Sequence, residues 1–312
     1  VDVMIVSGVN LDHAWTGLGP RYGSALRDWS RQLLALVVEE ANQRGAGILL
    51  VAGDLFDRAY VVPATVDYAS QVLGTFRGEV HIVPGRSDWI DATSFYTTHD
   101  WAPNTSISSF SDYRPCSSAP TVWLSARTSP GGSAPRVPVV AEPHVLIRAG
   151  TVDNGDAVVN VPALVHDPRE PEGFALLLDS AQPDAPARRI DLPNQPGAMV
   201  DVDVTGAMST DALAAALAAA ATPDSPLLLR LMGTLAPGVL LPGFWGSDRD
   251  LSSDIVLDFD GLTFATPPVD SSDHSARAEF LHAMAYANTP DLQRHQATAL
   301  GLAALDDSVQ GT

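Results

Sequence analysis

Asp54, Asp57 and Asp88 are the residues whose type and spacing could do chemistry in this chain. Asp54 and Asp57 close the stretch Val51-Ala52-Gly53-Asp54-Leu55-Phe56-Asp57, which follows the apolar run 47–51. Such a run reads as a buried parallel strand. A Gly-Asp pair at its carboxyl end sets a carboxylate at the mouth of an α/β sheet, where ligands bind. Two carboxylates three residues apart can serve a pair of hard divalent cations, one bridging and one supporting. The plainer use of the same residues is a strand-ending turn with a helix cap. Asp88 ends a similar loop, Pro84-Gly85-Arg86-Ser87-Asp88.

The elements that must position these loops follow from periodicity. Val3 to Ser7 reads as a strand that runs into Gly8-Val9-Asn10-Leu11-Asp12-His13. Leu26, Trp29, Leu33, Val37 and Ala41 recur at helical spacing, so Ala25 to Arg44 reads as a helix stopped by Gly45. Pro63 to Phe76 reads as a second helix and Glu79 to Val83 as a third strand. This β-α-β-α-β order implies a parallel sheet with right-handed crossovers, whose strand-end loops all open on one edge.

Beyond Trp101 the runs shorten. Thr121 to Ser125, Val137 to Val140, Val145 to Arg148, Ala157 to Val161 and Phe174 to Leu178 read as a second sheet packed on the first. Ser125 to Pro138, rich in Gly, Ser and Pro, reads as a mobile loop. Asn194-Gln195-Pro196-Gly197 marks a boundary. After it, Met199 to Val204, Thr210 to Ala221, Leu227 to Met232 and Ser253 to Phe259 form a small α+β unit, and helices at Ser275 to Ala287 and Pro290 to Leu305 close the chain. The expected division is 1–195, 196–268 and 269–312.

Composition restricts function. The 312 residues are 46% hydrophobic and 18% charged, with a net charge of −19 and no lysine. Nucleic-acid affinity comes mostly from basic residues that neutralise phosphates. So acidic a chain should repel DNA over most of its surface, and direct DNA binding is expected to be weak or absent. The single cysteine, Cys116, excludes an internal disulfide and fits a reducing cytoplasm. No membrane span and no signal peptide are read, so a cytoplasmic location is the expectation.

With these loops in view the chain resembles the calcineurin-like metallophosphoesterases. More narrowly it resembles their DNA repair exonuclease branch, the SbcD and YhaO-like nuclease subunits that partner SMC-like ATPases. The resemblance rests on Gly53-Asp54-Leu55-Phe56-Asp57, on Pro84-Gly85 through Asp88, and on Asn10-Leu11-Asp12 with Gly17-Leu18. It extends to Val161-Pro162-Ala163-Leu164 and Glu172 through Leu176, and to Met199 to Phe259, which is similar to the family's capping domain. It implies an α/β fold, a two-sheet αββα sandwich with a small α+β cap and C-terminal helices.

The family's ligands do not carry over. Its Asp-x-His motif falls on Gly8-Val9-Asn10, where Asn10 alone could offer an oxygen. Its Gly-Asn-His-Asp motif falls on Gly85-Arg86-Ser87-Asp88. Its Gly-His-x-His motif should lie near Leu146 to Val152, and no histidine is there; His144 and His166 flank the region at the wrong spacing. The degenerate catalytic positions are thus Gly8, Asn10, Arg86 and Ser87, and the residual ligand positions are Asp54, Asp88 and Asn10. Two-metal hydrolysis needs both cations. Arg86 would set a permanent cation where a metal should bind. The expectation is that Arg86 stands in for the metal charge by pairing with Asp54, Asp57 or Asp88.

Other residues read more plainly. Asp12-His13 suits a structural loop better than a chelate, Trp101 suits the core, and Cys116 is a bystander. Ser87 lacks a nearby histidine base in sequence, which makes nucleophilic serine chemistry unsuitable. Phe280, Leu281 and Met284 lie in the tail where, by resemblance, the ATPase coiled coil docks; packing against the main domain would use them equally well.

Three functions follow. One is a catalytically silent scaffold or regulatory subunit partnering an SMC-like ATPase, with no cofactor. A second is an active phosphoesterase or DNA exonuclease with a rebuilt site that uses Mn or Mg on Asp54, Asp57, Asp88 and Asn10. The third, a DNA-binding module without catalysis, is opposed by the charge. A homodimer is compatible with the family pattern.

Overall fold

Short apolar runs and the helices between them build the first unit. β1 (Asp2–Val6) leads to α1 (Gly19–Arg44), β2 (Ile48–Ala52), α2 (Pro63–Gly74) and β3 (Glu79–Val83). A one-turn helix, α3 (Phe95–Thr98), precedes β4 (Thr105–Ile107). Next come β5 (Arg114–Cys116), β6 (Ala119–Ser125), β7 (Val145–Arg148), β8 (Thr151–Asp153), β9 (Val158–Asn160), β10 (Phe174–Asp179) and β11 (Arg188–Asp191). This computed structural model describes residues 1–131, 135–136, 143–153, 158–170, 172–221, 227–243, 255–266 and 272–310. The strand read at Val137 to Val140 lies outside the described residues.

β1, β2, β3 and β4 pair in parallel and in sequence order, the pattern that right-handed crossovers impose. The read helices are present, but α1 begins six residues earlier than periodicity suggested. Pro20 in its first turn presets the backbone and loses no needed N–H. Gly45 ends it in the left-handed region at φ 69°, as a C-terminal glycine does.

The second sheet runs in the order β5-β6-β7-β8-β9 and differs in membership from the one the sequence implied. The segment Phe174 to Leu178 does not belong to it: β10 adds antiparallel to β1 and carries β11 outward, giving the first sheet the order β11-β10-β1-β2-β3-β4. An apolar run marks a buried strand without naming its neighbour. One buried cluster joins the two sheets, with Val3, Ile5, Leu50 and Leu176 from the first against Val122, Leu124, Ile147 and Val152 from the second. Met4, Val6, Leu49 and Val51 point the opposite way by the two-residue alternation and are just as fully buried. Both faces of the first sheet are therefore covered. The loop read from Ser125 starts later than expected, because Arg127 donates to Pro84 O at 2.9 Å and accepts from Ile90 N at 2.9 Å.

The second unit, Gly197–Thr312, follows the first, Val1–Pro196. Its parallel sheet takes β12 (Ala198–Asp203), β13 (Leu227–Leu235) and β14 (Ile255–Phe264) in order. α4 (Thr210–Ala220), capped by the Ser209 hydroxyl accepting from Ala212 N at 3.2 Å, buries Leu213 and Leu217 against that sheet. α5 (Ala276–Ala285) and α6 (Asp291–Gln310) cluster with this unit. Leu281 is buried within this unit, and Phe280 and Met284 are half-buried. The Phe280 ring fills the space left by Gly301 of α6, and Met284 lines a cavity beside His295. The reason is the pairing of α5 with α6, which takes up the apolar face of α5. Among the described residues, no helix is long and apolar enough to cross a membrane.

Candidate functional site

The loops after β1, β2 and β3 meet along one sheet edge and are tied by their own backbone. Gly8 N donates to Gly53 O, Asn10 N to Asp54 O and Leu11 N to Leu55 O, each at 3.0 Å, and Arg58 N donates to Ser87 O at 3.1 Å. Asn10, Asp12, Trp15 and Asp54 all hold positive φ between 51° and 57°, a left-handed conformation that non-glycine residues seldom adopt. Such strain gathers where surrounding structure overdetermines the backbone. Close approach leaves no room for side chains at two glycines. A Cβ at Gly8 would lie 2.3 Å from Ala163 Cβ, and one at Gly53 would lie 2.5 Å from Ala149 Cβ.

Asp88 is fully committed within this edge. Its Oδ1 accepts from Gly85 N at 2.5 Å and Asp54 N at 3.1 Å, and its Oδ2 from Leu55 N at 2.7 Å and Tyr96 Oη at 2.6 Å. Burial, then the neighbouring Asp54 charge, pushes its carboxyl up to about 6, against the pull of the Tyr96, Gly85 and Leu55 donors. Tyr96 is held from behind by stacking between Phe56, with centroids 4.8 Å apart, and Trp101, at 5.7 Å. Asp88 therefore clamps the ends of β2 and β3 together. The sequence reads Asp88 as a residual metal ligand; here both its oxygens are occupied by four protein donors.

Asp54 is held by Ser87, whose N and Oγ donate to Asp54 Oδ1 at 2.8 and 2.6 Å. Arg86 does not take the place of a metal. It is exposed, and among the described contacts it makes no ion pair or hydrogen bond with Asp54, Asp57 or Asp88. The physical reason lies in the loop. Ser87 and Asp88 turn inward to bond at the strand ends, so the intervening geometry sends Arg86 outward. The carboxylates it was expected to neutralise already have other donors.

Asp57 pairs with His13, Oδ2 to Nδ1 at 2.8 Å, and its Oδ1 accepts from Ala59 N at 3.0 Å. Asp12 accepts from the Arg31 guanidinium and, at 3.3 Å, from Val62 N, which fixes the loop to α1 and α2. Asn10 donates through Nδ2 to Val165 O at 2.7 Å. The Gly8-Val9-Asn10 turn thus acts as a backbone junction. In the segment where the resemblance would bring histidines, Ala149 packs on Gly53, and Gly150 N donates to Ala52 O at 2.8 Å. Among the described residues, no three His, Cys, Asp or Glu side chains gather as ligands of one ion. The residues present therefore do not fit the two-metal centre that the resemblance implies.

Sequence reasoning missed Tyr96, Arg31, Arg58 and Ser87 as partners of this edge. Arg58 bonds Trp89 O at 3.0 Å and Asp91 at 2.8 Å, and lies 4.7 Å over the Trp89 ring, so it shapes the loop after β3. None of these pairings has a short-range signature, since each joins residues on different elements. Elsewhere, Cys116 is buried with Sγ 3.4 Å from His81 Nε2; burial pushes the thiol up, but the His81 hydrogen bond and charge bring it below its ordinary value.

No protein-family model matches the chain, and no curated protein matches it.

Proposed function

We propose that the chain is a catalytically silent relative of the SbcD and YhaO-like metallophosphoesterases, serving as a scaffold or regulatory subunit beside an SMC-like ATPase. One observation carries this reading. Asp88 and one oxygen of Asp54, the two carboxylates a metal centre would need most, are satisfied by Ser87, Tyr96 and backbone N–H groups. A cation arriving there would have to displace charge-assisted hydrogen bonds, each worth about 1.5–3 kcal/mol. What the strand-end edge does instead is hold β1, β2 and β3 in register. The net charge of −19 agrees with a subunit that leaves nucleic-acid contact to its partner.

A second reading has one observation in its favour. Asp54 Oδ2 and Asn10 Oδ1 have no partner among the described contacts, so a rebuilt one-metal site with phosphodiesterase or exonuclease activity has two oxygens to start from. Calorimetric titration of the chelator-stripped chain with manganese separates the two. Heat indistinguishable from dilution at millimolar metal, with no hydrolysis of bis(4-nitrophenyl) phosphate, is the result expected of a silent subunit. Tight binding of one or two ions, with hydrolysis abolished by Asp54→Asn, establishes the rebuilt site instead. Co-elution with an SMC-like ATPase in gel filtration tests the partner.

A further inference from the structure

A cavity of about 330 Å³ opens beside the turn after β1, lined among others by Asn10, His13, Trp15, His166, Asp167 and Glu170. Its polar groups are oriented from behind, and that orientation fixes what they offer. Asn10 spends its amide N–H on Val165 O at 2.7 Å, which leaves its carbonyl oxygen. His13 bonds through Nδ1 to Asp57 Oδ2 at 2.8 Å. A carboxylate only accepts, so Nδ1–H donates to it, and in the tautomer this fixes Nε2 is left as an acceptor. His166 is 6% exposed and bonds through Nδ1 to Asp167 O at 2.8 Å. The carbonyl accepts from Nδ1–H, and His166 Nε2, on the opposite side of the ring, has no partner among the described contacts.

Charge follows the same sign. Asp167 is already paired with Arg169, at 3.0 Å to Nη1, but the Glu170 carboxylate has no partner among the described contacts. One donor breaks the pattern: Trp15, 7% exposed, holds its Nε1–H without an acceptor. A cavity of several fixed acceptors, one free carboxylate and a single spare donor suits a cation that carries its own N–H groups. It does not suit an anion. The volume exceeds what a bare ion fills, and no three ligating side chains converge on one point among the described residues.

We infer that this cavity is a binding site for a small organic ammonium ion, with Glu170 supplying the countercharge and Asn10 Oδ1, His13 Nε2 and His166 Nε2 accepting its N–H groups. The site borders the strand-end edge and shares Asn10 with it, but it uses neither Asp54 nor Asp88 and does not rest on the functional reading above. Two of its imidazoles are held by a carboxylate and a carbonyl, the arrangement that fixes ring orientation before a ligand arrives.

The test uses the full chain and three probes. Putrescine is titrated by calorimetry, and the imidazole nitrogens are followed by ¹⁵N NMR. Saturable binding that shifts the Nε2 resonances of His13 and His166 is expected. Glu170 is exposed, so Glu170→Gln should fold with an unchanged urea midpoint, yet weaken putrescine roughly ten-fold, the loss of one hydrogen-bonded charge. His13→Gln, measured the same way, should weaken it too. Tetramethylammonium, which has charge but no N–H, should bind about ten-fold more weakly than putrescine. The inference is overturned if putrescine leaves both Nε2 resonances unmoved, if Glu170→Gln binds it as well as the parent chain, or if inorganic phosphate shifts the same resonances in its place.

Discussion

Replacing Asp88 with asparagine tests whether the clamp between β2 and β3 is the buried carboxylate described here. At pH 7 two effects oppose one another. Asparagine cannot accept from all four donors, so at least one of Gly85 N, Asp54 N or Leu55 N loses its partner, at about 1–3 kcal/mol for each buried N–H. Against that, the substitution removes a buried charge beside Asp54. The pH dependence isolates the second effect. An Asp88 carboxyl raised to about 6 in the folded chain, from an ordinary value near 3.9, binds its proton more tightly folded than unfolded. Its stabilising contribution is therefore complete below pH ~4 and is lost as pH rises through ~6. Roughly two pH units at 1.36 kcal/mol each give about 3 kcal/mol. Urea unfolding of the parent chain and Asp88→Asn at pH 4, 5, 6 and 7.5 measures the difference, because titration common to both cancels. The destabilisation by Asp88→Asn should be about 3 kcal/mol larger at pH 4 than at pH 7.5. A difference that does not vary with pH, or one that grows as pH rises, refutes the reasoning.

Two other substitutions examine the junctions around this edge. Arg31→Ala strands the buried Asp12 carboxylate and should cost about 3 kcal/mol in urea unfolding, more than an exposed arginine would. Gly8→Ala forces a side chain onto Ala163 at a positive φ and should lower the thermal midpoint through a loss of at least about 1–3 kcal/mol; an unchanged midpoint would mean the β1 turn is looser than described.

The opening order β1-α1-β2-α2-β3 was legible from periodicity, because the central strands are buried on both faces and α1 and α2 carry apolar stripes with glycine or proline at their ends; the short elements α3, β4, β5, β8 and β11 were not. The reason for glycine in the strand-end loops was not legible, since the sequence marks Gly8 only as a lost ligand position. Gly8 and Gly53 sit at positive φ in turns where Ala163 and Ala149 approach too closely for a Cβ. That no histidine stands between Leu146 and Val152 needed nothing but the residue types.

What those residues do instead belonged to the tertiary structure. A sequence places Arg86 and Asp88 two apart in one loop, and charge alone suggests that the arginine serves the carboxylates. The fold gives Asp88 to Tyr96 and three backbone amides, gives Asp54 to Ser87, and leaves Arg86 in solvent. Likewise β10 left the second sheet for the edge of β1, and Phe280 packs against Gly301 of α6. Each outcome is a choice among neighbours distant in sequence. Local propensity and pattern fix which residues are buried and in what element; which donor reaches which acceptor is set when those elements pack, because a buried polar group takes whatever partner the packed backbone brings within reach.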